Sequence, residues 1–68
     1  MLTPLRRERL LQGKSLYDMR GRSGISVSKL SLIERGIEQP NEDEKHRLAR
    51  ALGVRLQDLF PMEEAVHE

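Results

Sequence analysis

The chain has 68 residues, no cysteine, one tyrosine, one phenylalanine and a net charge of +1. That length allows a single core, in which only about 60% of the unfolded surface is buried, and without thiols neither a disulfide nor a thiolate metal site can brace it. No apolar run approaches a membrane span and Leu2–Leu5 is too quickly followed by charge to form a signal peptide, so a soluble, cytoplasmic protein is expected.

Helices account for almost everything, and no strand or repeat is predicted. The expectation is all-α: a compact five-helix domain over residues 1–61, with 62–68 as a flexible C-terminal tail. The first helix starts after Thr3, with Pro4 just inside it where the missing N–H is not needed, and runs to Gln12 before Gly13. The second spans about Ser15 to Ser23, with Ser15 as N-cap and Asp18 as the capping-box acid, although Gly21 weakens it by about 1 kcal/mol relative to alanine. Gly24 suits a tight turn, because glycine takes positive φ without a Cβ penalty. Ser26 then caps a third helix, Val27 to Arg35, which Gly36 closes as a C′ glycine. Leu30 and Ile33 mark its apolar face, while Ser28, Ser31, Leu32 and Arg35 point the other way.

Residues 37–40 form a loop, since Pro40 drives its predecessor out of helical geometry. The fourth helix has the clearest start. Asn41 is its N-cap, Glu44 completes the capping box, and Glu42 and Asp43 favour the positive end of the helix dipole. It runs to Leu52 with a buried stripe of Leu48, Ala49 and Leu52, and Gly53 stops it. Arg55 to Phe60 is a short last helix ended by Pro61.

Charge is unevenly distributed. Residues 1–36 hold eight cations against three acids, and residues 37–68 hold four cations against eight acids. A basic half that contains the third helix suits a polyanionic partner, and an acidic half facing away would limit non-specific adhesion. Catalysis finds no support: His46 and His67 have no ligand-spaced partners, no nucleophile triad or phosphate-cradling loop is present, and Glu42, Asp43 and Glu44 are explained by capping. No enzyme activity, metal or cofactor is expected.

Taken together, Leu5, Arg9 and Gly13, then Met19, Gly24, Ile25 and Ser26, then Leu30 and the run Ile33–Glu34–Arg35–Gly36, then Pro40 and Asn41, Leu48 to Val54 and Leu56 to Phe60 resemble the lambda-type phage repressor and Cro family, also called XRE regulators. The resemblance covers over four-fifths of the chain, in order and without a large gap. It implies a lambda-repressor-like domain in which the second and third helices form a helix-turn-helix, and a transcriptional regulator, most simply a repressor, that binds double-stranded DNA with the third helix in the major groove.

By that resemblance the base-reading positions fall on Val27, Ser28 and Leu32. A serine hydroxyl discriminates weakly, and the two apolar side chains suit thymine methyls. Ser31, Lys29 and Arg35 are secondary candidates, with phosphate contact favoured for the two cations. Ser26 and the open amides behind it would hold a backbone phosphate, with Lys14, Arg20 and Arg22 adding charge. Arg9 and Glu34 would form a partly buried ion pair between the first and third helices. Homodimerisation through residues 55–66, with Leu56, Leu59 and Phe60 as contacts, would let two copies span two half-sites.

Three positions depart from the family pattern. Leu16 stands where a phosphate-gripping glutamine is usual, Arg20 where alanine allows close helix approach, and Ser23 where a leucine-like residue is usual. Arg20 must therefore extend outward or open the interhelical angle. The rival reading is a protein-interaction module on the same scaffold, with Leu16, Val27 and Leu32 docking onto a protein partner such as a polymerase subunit or a toxin.

Overall fold

The computed structural model describes residues 2–61. The tail expected over 62–68, and with it the end of the candidate dimer segment, lies outside the described residues. Within them the protein is all-α, with α1 (Pro4–Leu11), α2 (Leu16–Ser23), α3 (Val27–Glu34), α4 (Glu42–Leu52) and α5 (Leu56–Leu59).

Local chemistry sets most of these limits. The Thr3 hydroxyl accepts the Arg6 N–H at 3.2 Å and starts α1. Ser15 and Asp18 exchange both capping-box bonds, Asp18 N–H to Ser15 Oγ at 3.0 Å and Ser15 N–H to Asp18 Oδ2 at 2.8 Å. The Ser15 N–H, followed by the Ser15 hydroxyl, holds the Asp18 carboxyl below its ordinary pKa. Asn41 and Glu44 form the same reciprocal pair at the start of α4, at 2.8 and 2.9 Å. Helices α1, α3 and α5 are each shorter than expected, because Gln12, Arg35 and Phe60 serve as C-caps and Arg55 as the α5 N-cap.

Helix α2 packs on both α3 and α4, while α5 closes the far side against α4 and α1. The core joins Leu5 of α1, Met19 of α2, Leu30 and Ile33 of α3, Leu48 and Leu52 of α4 and Leu59 of α5, with Ile25 of the turn among them. Burying each such side chain contributes about 1.5–3 kcal/mol. Leu59, a candidate dimer contact by sequence, is only 2% exposed and belongs to this core. A helix of one turn has too little apolar surface to serve both core and partner, and the core takes Leu59. Leu56 and Phe60 remain partly exposed against it, and the Phe60 ring lies under the Lys45 ammonium, 5.7 Å from its centroid.

Candidate nucleic-acid interface

Helix α3 turns one side to the core and the other to solvent. Val27, Ser28, Ser31, Leu32 and Arg35 lie on the outward side, and with Leu16 from the start of α2 they line one shallow, open groove. Ser28 and Arg35 are exposed, and the other four are half-buried. At the N-terminus of α3, Ser26 Oγ accepts the Lys29 N–H at 3.2 Å. The amides of Val27 and Ser28 precede the first intrahelical bond, so they remain open donors at the positive end of the helix. The arrangement offers three hydroxyls, of Ser26, Ser28 and Ser31, two backbone amides and one guanidinium around an apolar floor.

The C-terminal end of α3 is fixed from behind. Arg9 of α1 meets Glu34 as a fork, Nε to Oε2 at 2.6 Å and Nη2 to Oε1 at 3.0 Å. Its third nitrogen, Nη1, donates to the Lys14 carbonyl at 2.8 Å. The two side chains are only 11% and 5% exposed. Such a bidentate, charge-assisted pair fixes orientation as well as distance. Thr3 adds a second tie, its hydroxyl donating to the Glu34 backbone carbonyl at 2.8 Å.

The turn between α2 and α3 is held by polar contacts. Ser23, in place of a leucine-like residue, is buried, and its hydroxyl donates to the Met19 carbonyl at 2.7 Å while accepting the Ile25 N–H at 3.2 Å. Arg47 of α4 reaches across and donates from Nη1 to the Ser23 carbonyl at 3.0 Å. Gly24 takes φ +76°, and a Cβ there would stand 3.1 Å from that same Arg47 nitrogen. Glycine is therefore favoured at this turn by its conformation, and a Cβ would also press on the end of the Arg47 side chain.

The remaining cations differ from one another. Arg20 and Arg22 are exposed on α2 and, among the described residues, have no carboxylate within ion-pair distance. Arg20 thus extends into solvent and does not wedge α2 away from α3. Lys14 is half-buried, with Nζ bonded to the Gln12 side chain. Lys29, a candidate phosphate contact by sequence, is engaged within the fold, 2.8 Å from Glu44 Oε2 and 3.5 Å from Glu38 Oε2. The Glu44 contact raises the Lys29 pKa, and the Lys29 ammonium, followed by the Asn41 amide, lowers that of Glu44. The acidic half therefore does not simply face away, because two of its carboxylates lie against the third helix.

Sequence reasoning missed Arg47, Glu38 and this second role of Glu44. The capping box signalled one Glu44 oxygen, Oε1, and left open where the other one goes. A family model described as a helix-turn-helix domain matches residues 2–60. The chain belongs to this helix-turn-helix domain family. No curated protein and no solved structure matches it. In helix-turn-helix terms α2 is the first helix, Gly24 lies in the turn, and α3 is the second helix with its outward face open. Among the described residues no helix is long and apolar enough to cross a membrane, and no group of three histidine or acidic side chains could hold a metal ion.

Proposed function

We propose that this helix-turn-helix domain is a sequence-specific, lambda-repressor-type regulator of transcription, a repressor in the simplest case, that reads double-stranded DNA by laying α3 in the major groove. The observation that carries the reading is the state of α3. Its back is anchored by Arg9–Glu34, while its front presents Val27, Ser28, Ser31 and Leu32 with open amides at its N-terminus. A reading helix needs both, because base contacts require a fixed side-chain geometry against a fixed backbone register. Ser26 and the amides of Val27 and Ser28 would hold a phosphate, with Arg20 and Arg22 on the α2 side adding charge. Val27 and Leu32, joined by Leu16, would pack on thymine methyls, and Arg35 would contact phosphate or guanine. Two copies would be needed to read two half-sites, with Leu56 and Phe60 as the available apolar contacts on α5.

Enrichment of bound fragments from a random-sequence duplex pool, at low and moderate salt, tests the reading. A recovered palindrome with fixed half-site spacing is the expected result. Binding without any motif would leave phosphate contact alone, and no retention at low salt would overturn DNA binding. One observation favours a second reading in that last case: Leu16, Val27 and Leu32 share one groove, which also suits an apolar protein segment.

A further inference from the structure

We propose that Glu38 is an internal stand-in for a DNA phosphate, which occupies Lys29 and holds down the affinity of the reading helix. The inference rests on the DNA-binding reading above and concerns the flank of α3, not its front. Wound at about 100° per residue, Lys29 falls between Leu32 of the outward groove and Ile33 of the core. A helix in the major groove lies between two phosphate backbones, so its flanks meet phosphate while its front meets base edges. Lys29 is 34% exposed on that flank, yet one ammonium serves two carboxylates. With both acids ionised, the cluster of Lys29, Glu38 and Glu44 carries a net negative charge where a phosphate would approach.

The two acids are not equivalent. Glu44 is 10% exposed, and its second oxygen accepts the Asn41 N–H, so it is part of the α4 cap. Glu38 is 42% exposed, 3.5 Å from Lys29 Nζ, and its carboxylate has no other partner among the described residues. The fold uses the Glu38 backbone, whose N–H reaches the Leu32 carbonyl at 3.3 Å, and does not use its charge. An ammonium has three donors. One stays with Glu44 and another faces Glu38, the position a phosphate oxygen would take. A phosphate approaching Lys29 must compete with Glu38 for the ammonium, whereas Arg20 and Arg22 on the α2 flank have, among the described residues, no carboxylate within ion-pair distance.

The experiment measures binding of a short mixed-sequence duplex by fluorescence anisotropy across a potassium chloride series. Wild type, Glu38→Gln, Lys29→Met and the double variant are compared, with thermal melts showing that each is folded. Glu38→Gln is expected to bind about two- to fivefold more tightly at low salt, the range of an exposed charge pair. Its log K should fall more steeply with log salt, by up to about 0.9, as one more phosphate is engaged. In the Lys29→Met background the substitution should add neither affinity nor slope. If Glu38→Gln matches wild type in both, the proposal fails while DNA binding stands. An equal gain without Lys29 would also overturn it, because general charge would then explain the effect. If neither wild type nor Glu38→Gln binds at the lowest salt, the DNA reading fails and takes the proposal with it.

Discussion

The two ends of α3 are held by ion pairs of opposite character. At the C-terminal end Glu34 and Arg9 form a two-point fork that is 5% and 11% exposed. Toward the N-terminal end Lys29, 34% exposed, is shared between a capping carboxylate and a loop carboxylate. The α3 partner is an acid at one end and a base at the other, and burial separates the two. Inside, losing one partner strands an ion where water cannot reach it. At the edge, water can replace the Lys29 ammonium or the Glu38 carboxylate, and Glu44 keeps the Asn41 N–H. The helix is therefore bolted at one end and adjustable at the other, and the adjustable end begins beside the open amides.

The largest effect should come from the buried end. Arg9→Met leaves Glu34 without its fork and is expected to cost about 3–5 kcal/mol in urea unfolding, most of the stability such a small domain has. Pairing it with Glu34→Leu should recover much of that loss, because two apolar side chains strand no charge. If Arg9→Met cost no more than Lys29→Met, burial would not be what separates the two ends. Next in size is Asn41→Ala, which removes the side-chain acceptor of the Glu44 N–H and keeps the backbone N–H that holds the Glu44 carboxylate, at about 1 kcal/mol. A change in DNA binding would mean that the Asn41 side chain also helps to present Glu44 to Lys29. A purely local cap would leave DNA binding unchanged.

How much of this was readable follows from the range of each interaction. The capping pairs Ser15–Asp18 and Asn41–Glu44, and the glycine stops at Gly24, Gly36 and Gly53, are contacts across a few residues, so local spacing announces them. Arg9 and Glu34 lie 25 positions apart, and only a family resemblance could point to their pairing. Nothing local indicated Arg47 on the Ser23 carbonyl, or Lys29 on Glu38 and Glu44, because those contacts depend on how α4 packs behind the turn. Leu59 was ambiguous for a different reason. In a four-residue helix every apolar side chain could face core or partner, and only the packed structure separates Leu59 from Leu56 and Phe60.

The groove at the front of α3 predicts a smaller effect, on DNA. If Leu16, Val27 and Leu32 read thymine methyls, replacing a contacted thymine by uracil removes one methyl from an apolar contact. That should weaken binding by about 0.8 kcal/mol, about fourfold. Competition binding on an enriched site, one thymine at a time, would measure it. Leu32→Ser should abolish the preference at its own position and leave the others, whereas indifference to every methyl would remove the apolar floor from the reading mechanism.

The smallest effect is the pH response of the adjustable end, and its sign is determined by two shifts. Glu44 titrates below its ordinary value of 4.5, so its contribution is present above that value and is lost as pH falls through the lower, folded one. Lys29 titrates above its ordinary value of 10.5, so its contribution is complete below that value and is lost as pH rises through the higher, folded one. Between the two the pair should not respond to pH at all. The stability difference between wild type and Lys29→Met should therefore be constant from about pH 5 to about pH 10 and shrink in acid as Glu44 is protonated. Asp18, whose carboxyl is also held low, titrates in the same acidic range but is common to both proteins and cancels in the difference. A difference that changed near neutrality would mean that another group supports Lys29, and the contrast between a bolted and an adjustable end would have to be redrawn around it.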